Sequence, residues 1–520
     1  MSKISAFFLV LVLIIAFFFR FWKITQIPPG FYPDEAINAN EAFFSLKNKD
    51  FKVFYPENYG REGLFIWLIS FSFFIFKKIS IFIVKIVPAT IGFLTVIGIY
   101  LLTKEMFKES KYLPLFATFF LGISFWHTNF SRIAFRGILL PFVLVFSFYF
   151  LLKAFSKKSI SNSILAGMFF GLGFYTYTSF RMAVLILPFL FLPLWFLSKK
   201  ENSERKFIIL TFVFLFTVFF VALPIGIYFL KNPQYFISRA APITIFKAKN
   251  PLKEFFKSLI LHLSMFNFYG DSNWRHNFSK KPELISPVGI LFLIGIFISF
   301  KECLNSTKIK DWKGALNYWL LFSWWFVMLL PGILTREGIP HSLRVIGTLP
   351  TVFIFTAIGT EKIYFLLIKK FKKEKIINFV FLIFFLICAF LEFQKYFLVW
   401  AKKPEVKSEF TAEFVKMGNY LNSLPQDFEK YVIVNKNGVP ISWAGNLPMP
   451  AQTIMFLEIS KYGKIKSHYL LPENLEKIKI EKRGVVLPLV FDQNLFENLK
   501  RKFPQGQTKK VNNFFVYEIK

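Results

Sequence analysis

Long apolar blocks alternate with short basic clusters along most of the chain. A helix needs about 20 apolar residues, at 1.5 Å per residue, to cross the ~30 Å hydrocarbon core of a bilayer. Eleven blocks approach this length and are predicted membrane spans, at 4–21, 79–103, 112–128, 137–152, 161–178, 182–198, 207–229, 287–300, 315–334, 345–367 and 376–398. The pattern predicts an α-helical polytopic membrane protein.

The basic clusters predict the orientation of these spans. They follow the blocks that end at residues 103, 152, 198, 300 and 367, so they lie in alternate connections and share one side of the membrane. Lys and Arg concentrate in cytoplasmic loops, so this side is predicted to be the cytoplasm. The expected protein is a multi-pass plasma-membrane protein with a cytoplasmic N-terminus and the first block retained as a span.

One further apolar block, 63–76, is the exception. Counted as a crossing, it would place every later basic cluster outside, against the positive-inside rule. It is also short for a span. We therefore expect juxtamembrane helices in the first outer loop, with a short untilted span as the alternative.

The composition of the chain changes from Lys402 onward, where charged residues alternate with short apolar runs. Periodicity predicts helices at 409–424 and 494–502 and strands at 431–434, 484–491 and 514–519. The predicted domains are a membrane domain, 1–398, and a small extracytoplasmic α/β domain, 399–520.

Composition and charge narrow the class of protein. With 55% hydrophobic residues and 76 Phe, a soluble single-core protein is excluded. The net charge of +33 follows from the cytoplasmic clusters, and the aromatic residues lie in apolar runs rather than beside a basic groove, so no nucleic-acid partner is expected. Cys303 and Cys388 have no disulfide or zinc-site spacing.

Two adjacent carboxylates, Asp34 and Glu35, follow Pro33 shortly after the first span. Asp is a preferred N-cap, and Glu in a first turn favours the helix dipole, so both residues have a structural interpretation. The alternative is an acid/base or metal site at the membrane interface, where partial burial tunes carboxylate pKa values.

Basic residues also gather on the predicted outer face. Each alone is typical of a headgroup-level anchor, but together they can form a cationic pocket, and the planar fork of Arg suits phosphate. The candidates for such a substrate pocket are Arg61, Arg132, Arg136, Arg181, His341 and Arg344.

The order of motifs along the chain resembles that of the GT-C glycosyltransferases. It consists of a first span, an Asp34-Glu35 loop, a loop-end motif before a short apolar helix, and Ser131-Arg132-x-x-x-Arg136 at the start of a later span. The branch is family 39, with the protein O-mannosyltransferases and the aminoarabinose transferases. The resemblance covers roughly residues 4–360 and includes 270–277, which adds Asp271, Arg275 and His276 as substrate-binding candidates.

The resemblance implies a polyprenyl-phosphate sugar donor, a protein, lipid or glycan acceptor, and a site on the extracytoplasmic face. It implies that Asp34 is the catalytic carboxylate, with Glu35 as support, and that transfer is inverting. Arg61 departs from the pattern, because relatives often carry Lys there. The resemblance does not require a cofactor; a divalent cation on Asp34, Glu35 and Asp271 is an open alternative, since hard cations prefer oxygen ligands.

Two other classes of protein remain as hypotheses. A transporter or flippase would carry ionisable residues within its spans, for which Lys85 and Glu392 are candidates, but the sequence shows no repeated halves. A scaffold protein would account for the C-terminal domain but not for the Asp-Glu loop.

Overall fold

The structure is a computed structural model that describes residues 3–239 and 241–519. Its α-helices are α1 (Lys3–Phe21), α2 (Pro33–Asn48), α3 (Leu64–Phe76), α4 (Ile81–Met106), α5 (Leu113–Ile123), α6 (Phe125–Phe130), α7 (Leu139–Lys157), α8 (Ile160–Gly173), α9 (Leu187–Lys200), α10 (Glu204–Lys231), α11 (Pro233–Ile237), α12 (Pro251–Ser264), α13 (Ser286–Lys308), α14 (Trp312–Ile333), α15 (Leu349–Phe371), α16 (Glu374–Phe393), α17 (Pro404–Glu409), α18 (Ala412–Ser423), α19 (Gln452–Tyr462) and α20 (Gln493–Lys502). Its strands are β1 (Phe54–Tyr55), β2 (Arg61–Glu62), β3 (Glu429–Ile433), β4 (Pro440–Ile441), β5 (Leu447–Pro448), β6 (His468–Leu470), β7 (Gly484–Pro488), β8 (Gln507–Val511) and β9 (Phe514–Ile519).

The predicted apolar blocks form helices. Within the described residues, eight helical segments are long and apolar enough to cross a membrane, at 81–106, 136–157, 178–200, 204–231, 286–308, 312–333, 346–371 and 374–402. The remaining three predicted spans correspond to the shorter apolar helices α1, α5 and α8. The exposed faces of α10 and α16 carry large apolar side chains such as Phe212 and Phe390, as expected of surfaces that face lipid. The chain is a multi-pass membrane protein.

The exceptional block at 63–76 forms α3, which has 13 residues. At 1.5 Å per residue its length is about 20 Å, shorter than the hydrocarbon core. Helices α5 and α8, which correspond to predicted spans, have similar lengths of 11 and 14 residues, so the juxtamembrane position of α3 stays a prediction.

The chain divides into two compact units. The first, here the helical unit, comprises the first helix up to Trp22 together with Pro88–Trp400. The second, the mixed unit, comprises Lys23–Val87 together with the chain from Ala401 onward. The loop that carries Asp34 and Glu35 thus belongs to the same compact unit as the C-terminal sheet.

The mixed unit contains a five-stranded sheet in the order β6-β3-β7-β9-β8. Strand β3 runs parallel to β6 and β7, whereas β9 is antiparallel to β7 and β8. Alternate side chains of β7 enter two different cores: Val485 and Leu487 pack in the core of α18 and α19, and Val486 in the core of α20. A strand covered on both faces has no polar face, which explains the continuous apolar run from which it was predicted.

Helix α2 is bound to the C-terminal part of the mixed unit by polar contacts. The Asn40 side chain donates to the carbonyl oxygen and to Oε1 of Gln452 on α19, at 3.1 and 2.8 Å. The Thr453 hydroxyl donates to the carbonyl of Phe31 at 2.9 Å. These bonds position the start of α2, which carries Asp34.

Helices α13 and α15 of the helical unit cross at two glycines. A Cβ on Gly295 would lie 1.7 Å from the carbonyl oxygen of Phe355, and a Cβ on Gly359 would lie 2.2 Å from that of Leu291. Small residues permit this backbone approach between membrane helices.

Gly295→Ala is therefore expected to lower the temperature of thermal unfolding in detergent, because overpacking of a tight contact costs about 1–3 kcal/mol or more. Gly226→Ala on α10 is the matched control, since a Cβ there meets no atom within 4 Å. Equal unfolding temperatures for the two variants would contradict the close crossing.

Candidate active site

One face of α2 carries the polar residues of the first loop. Asp34, Asn38 and Glu41 are spaced at i, i+4 and i+7, so they share a face of the helix. Asp34 is half-buried, whereas Asn38 and Glu41 are buried. The neighbouring Glu35 is fully buried, and its Oε1 accepts the backbone N–H of Tyr32 at 3.1 Å. Glu35 therefore caps the first turn, whereas the structural interpretation had expected Asp34 as the cap and Glu35 only as a first-turn acid.

A tight turn at residues 58–60 supplies the partners of this face. Asn58, Tyr59 and Gly60 all have positive φ. The Asn58 side-chain amide donates to Asp34 Oδ1 at 2.8 Å. Asp34 is thus a carboxylate that is held by a neutral donor and is still partly open to solvent.

Arg61 follows the turn and is 1% exposed. Its Nη1 donates to Asn38 Oδ1 at 2.8 Å, and its Nη2 forms an ion pair with Glu41. Burial raises the pKa of Glu41, while the charge of Arg61 opposes that shift. These contacts support a structural role for Arg61; its predicted contact with phosphate stays a prediction.

Lys85, the residue of the transporter hypothesis, lies on α4 and is fully buried. Its Nζ is 3.4 Å from the carbonyl oxygen of Pro28 and 3.3 Å from that of Gly30. The lysine therefore contacts the loop immediately before Asp34.

In the helical unit, Asp271, His276 and His341 form a cluster. His276 Nδ1 lies 3.1 Å from Asp271 Oδ2, and His341 Nδ1 lies 3.9 Å from the same oxygen. Hydrogen bonding and the charge of His276 outweigh burial and lower the pKa of Asp271 to about 2. Burial lowers the pKa of His341 well below its usual value, and Arg344 adds to the effect. Asp271 is thus an ionised carboxylate beside a neutral His341.

Further polar residues surround this cluster. The backbone N–H of Ser342 donates to Asp271 Oδ2 at 2.8 Å, and the Ser342 hydroxyl donates to Glu283. Burial raises the pKa of Glu283. The backbone N–H of His341 donates to Nε2 of His262 at 3.2 Å. Loop residues far apart in sequence are held together here.

Arg132 is fully buried and contacts the end of α1. Its guanidinium donates to the carbonyls of Phe19 and Trp22, at 2.9 and 2.6 Å, and lies 5.2 Å from the ring centroid of Phe397. Carbonyls at a helix C-terminus lack intrahelical donors, so the arginine stabilises this end. The contacts favour a structural role for Arg132.

The other predicted arginines lie on several elements of the helical unit. Arg136 lies 5.3 Å from the ring centroid of Tyr177. Arg344 Nη1 donates to the Thr335 hydroxyl at 2.8 Å and to the Glu337 carbonyl at 2.6 Å.

Arg181 and Arg275 have their own neighbours. Arg181 donates to the Phe236 carbonyl and lies 4.4 Å from the centroid of that ring. The carbonyl of Arg275 accepts the Asn129 amide at 2.7 Å.

The predicted site residues therefore fall into two groups. Asp34, Glu35 and Arg61 belong to the mixed unit, and the remaining eight lie in the helical unit, with Asp271, His276, His341 and Arg344 close together. Glu41 and Asn58 were missed by the sequence reasoning. The i, i+4, i+7 spacing on α2 was the available signal for Glu41; Asn58 had none.

Comparison with known proteins finds a family model that matches part of the chain. Residues 64–228 match the model of the family described as dolichyl-phosphate-mannose-protein mannosyltransferase. No curated protein sequence matches the chain.

Two solved proteins have similar folds. ArnT from Cupriavidus metallidurans, bound to undecaprenyl phosphate, is 11% identical; the alignment covers 99% of this chain and 97% of ArnT, with a TM-score of 0.56. The archaeal oligosaccharyltransferase AglB from Archaeoglobus fulgidus, in complex with an inhibitory peptide and a dolichol-phosphate, is 14% identical, with coverages of 99% and 74% and a TM-score of 0.53. ArnT in the apo state gives a TM-score of 0.52, at 10% identity and coverages of 99% and 97%.

Both neighbours are GT-C glycosyltransferases, so the resemblance and the fold class predicted from the sequence are confirmed. The chain has the GT-C fold, and its residues 64–228 carry the sequence pattern of the dolichyl-phosphate-mannose-protein mannosyltransferase family.

Proposed function

We propose that this protein is a glycosyltransferase that moves a sugar from a polyprenyl-phosphate donor to a protein, lipid or glycan acceptor. The observation that carries the proposal is Asp34: a half-buried carboxylate at the start of α2, oriented by Asn58 and left partly open. The family match and the lipid phosphates named for ArnT and AglB support the class of donor.

In the proposed reaction Asp34 is the general base. It accepts the proton of an acceptor hydroxyl or amine while that group forms a bond to the anomeric carbon. The bond from this carbon to the phosphate oxygen breaks on the opposite face, so the configuration inverts and polyprenyl phosphate leaves. A positioned base typically contributes about 10²–10⁴-fold to the rate.

The remaining roles in the proposed reaction fall to other residues that were predicted from the sequence. Glu35 is a positioning residue, because its contact with Tyr32 fixes the first turn of α2. Neutralisation of the leaving phosphate is proposed for the predicted arginines, Arg136 and Arg344 among them. Fixed positive charge stabilises the developing negative charge of the transition state most strongly where water is excluded.

The possible divalent cation on Asp34, Glu35 and Asp271 remains a prediction. The carboxylate of Glu35 fits it poorly, because it already caps α2. The proposed steps do not use this cation.

The proposal includes the orientation of the protein, with a cytoplasmic N-terminus and an extracytoplasmic C-terminal part. It rests on the basic clusters in alternate connections. Reporter fusions after Lys108, Lys200 and Lys372 should report cytoplasm and one after residue 410 the outside; the reverse pattern would overturn the orientation.

The activity is tested with the full-length protein reconstituted in lipid vesicles. The protein is incubated with a panel of polyprenyl-phosphate sugars and membrane extract as acceptor. We expect consumption of one donor, release of free polyprenyl phosphate and labelling of an acceptor. Sugar movement across the vesicle membrane without transfer would instead favour the transporter hypothesis.

A further inference from the structure

We propose that Asp271, His276 and His341 form a binding site for a divalent transition-metal ion of the Zn²⁺ class. Among the described residues, one ligand atom from each of the three lies within 4.8 Å of the others. The inference goes beyond the proposed glycosyl transfer, and its test does not depend on that activity.

The distances are close to those that a metal would impose. Zinc–nitrogen and zinc–oxygen bonds near 2.0–2.1 Å in a tetrahedron separate the ligand atoms by about 3.3 Å. The observed separations from Asp271 Oδ2 are 3.1 Å to His276 Nδ1 and 3.9 Å to His341 Nδ1. The first separation is already close to the tetrahedral value, and the second exceeds it by about 0.6 Å.

Local backbone structure brings His276 back to Asp271. The Asn273 backbone N–H donates to Asp271 Oδ1 at 2.8 Å, and the His276 N–H donates to the Asn273 carbonyl at 3.0 Å. The two turns reverse the chain within five residues. They also hold Oδ1, so that Oδ2 faces the imidazoles.

The third ligand comes from a different loop. The Ser342 N–H bonds to Asp271 Oδ2 at 2.8 Å, and the His341 N–H bonds to His262 at 3.2 Å. His341 is therefore held beside Asp271 by its own backbone. Partners of this kind orient metal ligands in known sites.

Burial distinguishes this cluster from a surface group of acids and histidines. Side-chain exposure is 2% for Asp271, 7% for His276 and 15% for His341. Small residual exposure at His341 leaves an approach for the ion and for a fourth, non-protein ligand. The hydrogen bond from His276 to Asp271, and the long 3.4 Å contact from the Arg344 N–H to His341 Nδ1, would be replaced by metal bonds.

The donor set selects the kind of ion. Two imidazole nitrogens and one carboxylate oxygen suit Zn²⁺, whereas Mg²⁺ and Ca²⁺ take mostly oxygen ligands. Bound there, the ion would join the loop at 265–285 to the loop at 334–345 within the helical unit. We therefore expect metal to stabilise these loops.

The test uses the full-length protein in detergent, stripped of metal by a chelator. Titration with Zn²⁺ is expected to show one tight site per chain. His276→Ala and His341→Gln are each expected to weaken this site by more than about 100-fold, because even outer-shell partners are worth 10–100-fold. Zn²⁺ should also raise the unfolding temperature of the unsubstituted protein but not of these variants. Bound Co²⁺ should give a visible absorption band that indicates a low coordination number of the ion. Both variants should lose this band.

His468→Ala is the matched control. His468 is exposed and lies in the mixed unit, so this substitution removes one histidine away from the proposed site. It should bind Zn²⁺ like the unsubstituted protein. Absence of a tight site in the unsubstituted protein, or equal affinity in His276→Ala and His341→Gln, would overturn the proposal. If His276→Ala does not fold, the milder His341→Gln, at the partly exposed ligand, decides alone.

Discussion

Asp34→Asn is expected to lower the rate of sugar transfer by about 10²–10⁴-fold. Asparagine keeps the shape of the side chain, and its Oδ1 can still accept the hydrogen bond from Asn58 that holds Asp34 at 2.8 Å. It cannot take up a proton from the acceptor. Folding and donor binding should therefore remain while the chemical step is lost, as measured by single-turnover transfer in vesicles.

Asp50→Asn is the control for this experiment. Asp50 lies just beyond α2 in the same mixed unit and is exposed, with an ion pair to Lys52 at 3.5 Å. The substitution removes the same charge and should leave the transfer rate unchanged. Full activity of Asp34→Asn would remove Asp34 from the role of base, and equal losses in both variants would point to a general effect of charge.

The second large effect is expected at the ion pair of Arg61 and Glu41. Arg61→Met leaves the Glu41 carboxylate buried and without its cation, which typically costs about 3–5 kcal/mol. The free energy of unfolding should fall accordingly, as measured by denaturant titration in detergent. Arg61→Met combined with Glu41→Leu should recover most of the loss, because an apolar pair of similar volume often replaces a buried ion pair without penalty.

The same double variant separates two roles of Arg61. If the arginine is structural, transfer activity should return together with stability. If Arg61 contacts the donor phosphate, the double variant will be stable but inactive, with a raised KM for the donor. A single Arg61→Met variant as stable as the unsubstituted protein would contradict the buried pair itself.

The membrane helices could be predicted because the bilayer restricts their length and composition. Backbone groups in hydrocarbon must bond internally, so each long apolar block has one available structure. The short block at 63–76 also forms a helix, of 13 residues, whereas its juxtamembrane position stays a prediction from the charge pattern. The strands predicted at 484–491 and 514–519 are observed at Gly484–Pro488 and Phe514–Ile519; both have covered faces, so their sequences are largely apolar.

The individual roles of the charged residues were harder to predict from the sequence. Asp34 and Glu35 are adjacent and were predicted as a catalytic carboxylate and its support, but Glu35 turns back onto Tyr32 while Asp34 meets Asn58. The predicted substrate arginines Arg61 and Arg132 have buried protein partners. A guanidinium near a predicted loop has the same pattern in sequence whether it binds a carbonyl, a carboxylate or a phosphate.

The sequence by itself determined the membrane class, the helices, the principal strands and the loop that carries Asp34, since these depend on periodicity and on residues close together in the chain. Only the tertiary structure decided which partner each polar side chain has. Arg61 meets Glu41 across 20 residues, and Asp271 meets the backbone of Ser342 across 71. The physical reason is that burial makes an unpaired polar group costly, and the folded chain satisfies it with whichever donor or acceptor packing brings near.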